Sequence, residues 1–206
     1  MKKAGILMII GSALLLGLFY FPLWDIELIA PQYPEGLGMD IYIDDIKGGT
    51  EFDLPNIDGL NHYIGMKKIP KAHEMWEFTV FPIVVGAMAG IGILLGILGF
   101  MKKINPKAFL IWLIVMSVLG VLGMYDFNLW LTDYGTDLDP DASIRLLDAE
   151  GNPMTYKPPL IGHVKLLNFD VDSWPHIGAY MMFAGMILTF IAYLVGIKSK
   201  KKSISS

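Results

Sequence analysis

The sequence predicts an all-α membrane protein, with four transmembrane helices and two long outer loops that form a small mixed cap containing a candidate β-hairpin. Three observations predict this fold class: four long apolar runs, lysines confined to one side of them, and carboxylates gathered on the other. Of the 206 residues, 54% are hydrophobic and 17% are charged, and the mean hydropathy is +0.51. Soluble domains carry about 25% charged residues. The composition excludes a disordered chain and a basic nucleic-acid-binding protein, and the lack of cysteine excludes disulfides and thiolate metal sites.

Four apolar runs are long enough to cross a bilayer, for which about 20 helical residues are needed. They cover residues 4–24, 78–101, 108–131 and 177–197, and none contains Lys, Arg or His. Backbone groups in hydrocarbon have to be paired within the segment, so each run is predicted to be a helix. The first run is longer than the usual signal-peptide core of about 7–15 residues, so a transmembrane helix is favoured over a cleaved signal peptide. Residues 1–206 then form a single membrane domain.

Charge predicts the orientation of these helices. All 20 acidic residues and seven of the 16 Lys and Arg residues lie on one side of the spans. The other side carries nine lysines and no acidic residue: Lys2, Lys3, Lys102, Lys103, Lys107, Lys198, Lys200, Lys201 and Lys202. The positive-inside rule places this side and both chain termini in the cytoplasm. Tryptophans that favour the headgroup region are predicted at the outer ends of the four spans: Trp24, Trp76, Trp130 and Trp174.

Small residues four apart mark the second span. Gly86 with Gly90 and Gly92 with Gly96 both have the spacing that lets helices approach closely. Packing inside this bundle is the favoured interpretation of these pairs. Docking against a separate membrane subunit is the alternative.

The two outer loops, residues 25–77 and 132–176, are too long to be simple connectors. Residues 39–46 alternate apolar with polar side chains before a Gly-Gly pair, which predicts a half-buried strand and a turn. Residues 51–54 are the candidate hairpin partner of that strand. Residues 56–66 are predicted to form a turn that leads into a short helix. The second loop is rich in turn residues, so the two loops together predict a small cap over the bundle.

Histidine and methionine in the loops are candidate metal ligands. If the chain after Asn61 is helical, His62 and Met66 share a helix face at i, i+4 spacing, and His73, His163 and His176 complete the candidate set. Imidazole and thioether ligands without thiolate suit copper. The alternative is that these are ordinary surface histidines and gap-filling methionines. No nucleophile motif, HExxH motif or phosphate-binding glycine loop occurs in the sequence, so it does not predict an enzyme.

Six loop motifs together resemble those of a known family: FPLW (21–24), APQYPEGLG (30–38), GLNHYIGM (59–66), DLDPD (137–141), PPLIG (158–162) and LLNF (166–169). The family they resemble is an uncharacterised one of four-helix membrane proteins that is associated with bacterial nitrous oxide reductase gene clusters. The resemblance implies a multi-pass protein of the bacterial cytoplasmic (inner) membrane. Its implied partners are periplasmic nitrous oxide reductase, a multicopper enzyme, or the maturation proteins of that enzyme. Of the candidate ligands, only His62 and Met66 lie within a motif of the family.

Two functions from different classes follow. The first is an integral membrane accessory protein that assists maturation of nitrous oxide reductase through copper supply. The second is a structural or electron-transfer-linked membrane subunit without a metal. Such a subunit would dock a partner through its glycine-rich helix and its acidic cap. An independent membrane enzyme is the least favoured interpretation, since no catalytic constellation is visible.

Overall fold

The computed structural model describes residues 1–144, 147, 151, 154–166 and 168–204, and it contains both a helical bundle and a β-sheet. Four helical segments are long and apolar enough to cross a membrane, as predicted. In chain order the elements are α1 (Lys2–Ala13), β1 (Trp24–Ala30), β2 (Tyr33–Ile41), β3 (Ile46–Gly48), α2 (Asp53–Ile64), α3 (Glu77–Phe100), α4 (Lys107–Thr136), β4 (Gly162–Leu166), β5 (Phe169–Pro175) and α5 (Ile177–Ile204). A 3₁₀ helix, Leu14–Phe19, extends α1.

The predicted fold is confirmed in part: the long apolar helices and a mixed cap are present, but the two loops together build a five-stranded antiparallel sheet of order β3-β2-β1-β5-β4, so the chain is not all-α. We call the five strands and α2 the cap. A β-hairpin is formed by β1 and β2, which pair from Trp24–Ile41 to Ala30–Tyr33. Residues 39–46 do not form one strand as predicted, because the chain turns between Ile41 and Ile46 and β2 pairs with β3. Residues 51–54, the predicted hairpin partner, instead lead into α2. The strands of the second loop were not predicted, and β5 joins the sheet beside β1.

The first apolar run ends as a helix at Phe19 rather than at residue 24. Pro22 has no backbone N–H and disfavours helical geometry at the residue before it. Leu23 N then donates to Ile41 O at 2.8 Å, so the chain passes directly into the sheet. Trp24 is only 7% exposed and donates from Nε1 to Ser173 Oγ at 2.9 Å. The Trp24 ring is therefore part of the core of the cap and is not exposed at the end of the first span.

In the bundle, α1 lies between α3 and α5, and glycines allow the close approach. A Cβ added to Gly96 would lie 2.6 Å from Ile9 Cγ1 of α1, and one added to Gly11 would lie 2.7 Å from Gly185 O of α5. Real Cβ atoms do not approach other heavy atoms so closely, so both positions require glycine. Packing inside the bundle, the favoured interpretation of the glycine pairs, is therefore confirmed for Gly96. A Cβ at Gly90 would meet nothing within 4 Å.

The cap has its own hydrophobic core, separate from that of the bundle. One face of the sheet packs against α2 and the upper part of α4, with Trp24, Ile26, Met39, Ile57 and Leu131 all buried in this core. The α4 helix continues to Thr136, past the predicted end of the third span at residue 131, and so reaches into the cap. The cap is thus held by packing as well as by its chain connections.

Asp53 fastens the first turn of α2 to the sheet. Its carboxylate accepts hydrogen bonds from Gly38 N and Thr50 N, each at 3.1 Å, and from Thr50 Oγ1. Burial acts to raise the pKa of Asp53, but these bonds and one from the Gly49 amide outweigh it, so the pKa lies below its usual value of 3.8. The ionised form of Asp53 is therefore part of the folded cap.

Candidate functional site: the acidic face of the sheet

The second face of the sheet carries the polar residues that alternate with the core residues of each strand. On β1 these are Asp25 and Glu27, which lie between the buried Trp24, Ile26 and the partly buried Leu28. Residues paired directly across antiparallel strands share a face. The register therefore places five carboxylates together, and we call them the acidic face: Asp25, Glu27, Asp40, Asp170 and Asp172.

Like charges stand directly opposite each other on this face. Asp25 of β1 pairs with Asp40 of β2, and Glu27 of β1 pairs with Asp172 of β5. Directly opposed like charges destabilise a sheet. Burial, followed by repulsion from Asp40 and Glu27, raises the pKa of Asp25, while His176 acts in the opposite direction. The acidic face therefore holds unfavourable charge in the free protein.

Two lysines and one histidine also lie on this face, towards its edges. Lys47 is paired with Asp40 in the register, but its Nζ lies 4.4 Å from the centroid of the Tyr42 ring. Lys165 is paired with Asp170, at the opposite edge of the sheet. With the histidine neutral, five carboxylates and two lysines give this face a net charge of −3.

His163 of β4 lies between two carboxylates of β5. Its Nδ1 is 3.2 Å from Asp172 Oδ1, and its Nε2 is 3.4 Å from Asp170 Oδ1. The two ring nitrogens point in different directions, and each lies next to a different carboxylate. This arrangement does not direct the three side chains at one shared ion.

The structure does not place His62 and Met66 on one helix face. The α2 helix ends at Ile64, Gly65 has a left-handed backbone with φ 82°, and Met66 N caps the helix by donating to Asn61 O at 2.9 Å. His62 is exposed, whereas Met66 lines an apolar cavity between α2 and the core face of the sheet. The i, i+4 premise for this pair is therefore wrong.

The remaining predicted ligands lie in different parts of the structure. His73 is in a short exposed 3₁₀ turn beside Glu74, and His176 immediately precedes α5, with Nδ1 buried and without a hydrogen-bond partner among the described residues. Within the described part of the chain, no three His, Cys, Asp or Glu side chains form a group that could hold a metal ion. Copper binding through His62, Met66, His73, His163 and His176 stays a prediction.

The cavity that Met66 lines has a volume of about 60 Å³. Its walls are almost wholly apolar, and the lining residues with polar side-chain atoms, Asn61, Tyr134 and Tyr156, are all buried. Asn61 Nδ2 donates to the Tyr134 hydroxyl and so links α2 to the end of α4. The cavity belongs to the packing that positions the sheet above the bundle.

The acidic face was missed as a unit because its members come from both loops. The sequence contains a signal for two of the strands. In WDIELIA (24–30) and FDVDSWP (169–175), apolar and polar residues alternate as they do in a half-buried strand. Comparisons with family models, with curated proteins and with solved structures found no match to this chain. The geometry of the chain itself therefore carries the functional argument.

Proposed function

We propose that this chain is a membrane-anchored accessory protein whose acidic face docks a partner protein with a basic surface. The observation that carries the proposal is the pairing of like charges across two neighbouring strand pairs, Asp25 with Asp40 and Glu27 with Asp172. These pairs reduce the stability of the isolated sheet. Basic side chains from a partner would neutralise them, and complementary charge across an interface favours association and register.

The cap is suited to docking because it is joined tightly to the bundle. The central strands β1 and β5 are the sheet's links to α1 and α5. At this junction His176 N donates to Leu23 O at 2.9 Å and Gly178 N donates to Pro22 O at 2.8 Å. A partner bound to the acidic face would therefore be held at a fixed position above the membrane.

We further propose that the lysine-rich end of the bundle faces the cytoplasm and that the acidic face looks outward, because lysines collect on the cytoplasmic side of membrane proteins. In a bacterial inner membrane the cap would then lie in the periplasm. Nitrous oxide reductase or one of its maturation proteins is the partner that the family resemblance predicts.

Site-specific photocrosslinking in intact cells tests the docking proposal. Trp174, paired with Asp25 on the acidic face, is 50% exposed, and Tyr63, on α2, is 56% exposed, so a benzoylphenylalanine can replace either aromatic side chain. We expect an adduct with one protein from position 174, none from position 63, and loss of the adduct when Asp25 and Asp40 are changed to Asn. Equal amounts of adduct from both positions, or an amount from position 174 that does not change when Asp25 and Asp40 are replaced, would contradict docking through this face.

A further inference from the structure

The end of the bundle opposite the cap carries a dense set of lysines on three segments. We call Lys2, Lys3, Lys102, Lys103, Lys107, Lys198 and Lys200 the lysine end, and all seven are exposed. The backbone brings the segments together: a Cβ on Gly5 of α1 would lie 2.8 Å from Phe100 Cα, and one on Gly196 of α5 would lie 2.8 Å from Pro106 Cβ. The sequence of these segments, residues 1–24, 78–125 and 173–206, contains no Asp or Glu.

Helix dipoles explain only part of this charge. Lys102, Lys103, Lys198 and Lys200 follow or occupy helix C-termini, where positive charge is favourable. Lys2, Lys3 and Lys107 lie instead in the first turns of α1 and α4, where the dipole disfavours a cation. The positions of these three lysines are therefore not explained by the dipoles of their own helices.

Lys102 occupies a backbone position that favours glycine. It is the only non-glycine residue among the described ones with a positive φ, at 60°. Lys102 N donates to Gly99 O at 3.0 Å and Lys103 N donates to Leu98 O at 2.9 Å, so α3 ends in a Schellman motif with Lys102 at the left-handed position. A lysine there is strained relative to glycine, and strain retained at an exposed position points to a use for the side chain.

We propose that the lysine end binds the headgroups of anionic phospholipids in the adjoining leaflet, with the turn between α3 and α4 as its centre. Phosphate groups at the membrane surface supply the negative charge that these segments lack, and clusters of lysines next to membrane helices attract anionic lipid. Lys2 Nζ lies 5.6 Å from the centroid of the Phe100 ring, which places an ammonium group beside an apolar ring, as at a membrane interface. The proposal depends on the four spans crossing a membrane and is independent of docking at the acidic face.

The test compares the thermal unfolding of the purified full-length chain in neutral micelles after addition of either phosphatidylglycerol or phosphatidylcholine. We expect phosphatidylglycerol to raise Tm and phosphatidylcholine to leave it unchanged. Because one lysine near an anionic surface contributes a modest attraction, Lys102→Gly should reduce the phosphatidylglycerol increment by about 2–4 °C. Lys102→Arg should keep the increment, and Lys68→Gln, which removes one exposed lysine charge outside both the lysine end and the acidic face, is the control.

The strain at Lys102 gives a second readout that separates lipid binding from a purely structural role. In phosphatidylcholine, Lys102→Gly should raise Tm because glycine adopts the left-handed backbone without strain. A rise in Tm with an undiminished phosphatidylglycerol increment would show that Lys102 acts only in the turn and would overturn its lipid role. Equal stabilisation by inorganic phosphate, or no increment in the unmodified chain, would overturn the proposal as a whole. None of these outcomes involves the photocrosslinking test of the acidic face.

Discussion

The contact between α1 and α3 predicts a sharp difference between two glycines of the same helix. A Cβ added to Gly96 would lie 2.6 Å from Ile9 Cγ1 and 2.9 Å from both Gly5 O and Ile9 N, whereas a Cβ added to Gly90 would meet nothing within 4 Å. Two of the three obstructing atoms at Gly96 belong to the backbone of α1. A rotamer change therefore does not relieve the contact, and the two helices have to separate.

The expected cost follows from a comparison of Gly96→Ala with Gly90→Ala. Both variants gain the same helix propensity, about 1 kcal/mol from replacing Gly by Ala, so this gain cancels in the difference. Overpacking of a close contact costs about 1–3 kcal/mol. We therefore expect Gly96→Ala to have a free energy of unfolding about 1–3 kcal/mol lower than that of Gly90→Ala, and Gly90→Ala to be at least as stable as the unmodified chain.

The measurement is equilibrium unfolding in mixed micelles of a neutral detergent and increasing dodecyl sulfate, followed by far-ultraviolet circular dichroism. Gly90→Ala serves as the internal control because it changes the same residue type six positions away. Equal unfolding midpoints for the two variants would refute the close α1–α3 packing. Loss of a partner in Gly90→Leu, with the fold intact, would instead support docking through the open face of α3.

Three further predictions concern charges and ligands of the cap. In urea unfolding, Asp25→Asn should raise the free energy of unfolding at pH 7 by about 0.2–1 kcal/mol, towards the lower value because the side chain is partly exposed. Since the folded pKa of Asp25 is raised, this gain in stability should disappear as the pH falls below the usual carboxyl range. Asp44→Asn, which changes an exposed carboxylate, is the control and should show no such gain. Asp53→Ala should lower the free energy of unfolding by about 1.5–3 kcal/mol at pH 7. Because the folded pKa of Asp53 is lowered, the stability that its carboxylate contributes is present above its unfolded pKa and is lost as the pH falls through its folded pKa. Acid titration of the unmodified protein and of the variant checks this. If copper supply is the function, the chain should compete with a chelator for Cu(I), and the double change His62→Ala with Met66→Ala should weaken that competition by at least about tenfold. If the chain does not compete, or competes equally well after both changes, then His62 and Met66 are not copper ligands.

The hydropathy of the sequence was sufficient to predict that the four long helices exist, but not to predict where they end. The four spans were predicted because each apolar run is long and lacks Lys, Arg and His, with Asp126 in the third run as the one acidic residue, and this signal is local. The end of the first span was misplaced because the apolar run continues through Pro22 into the strand that follows. Trp24 is apolar whether the chain there is a helix or a strand, so hydropathy does not mark the boundary. The boundary is set by the hydrogen bond from Leu23 N to Ile41 O, which depends on a residue 18 positions further along the chain.

The sheet required information that a single sequence does not carry. The strand β5 pairs with β1 although the two are far apart in the sequence: Trp24 and Pro175, which are paired, are 151 positions apart. Alternation within a strand does not specify its neighbour. The acidic face depends on that pairing, since Glu27 meets Asp172 only when the two loops combine. The shared helix face predicted for His62 and Met66 is absent for a local reason: Gly65 ends α2 with a left-handed backbone, and a glycine at this position is a common signal that a helix ends.

The direct connections between strands and helices couple the two ends of the protein mechanically. Helices α1 and α5 come close at Gly11 and Gly185, where an added Cβ would collide with the backbone of the other helix. Each helix leads along the chain to one of the two adjacent strands β1 and β5. Any sliding of β5 along β1 would therefore have to be accommodated at this glycine contact between the two helices.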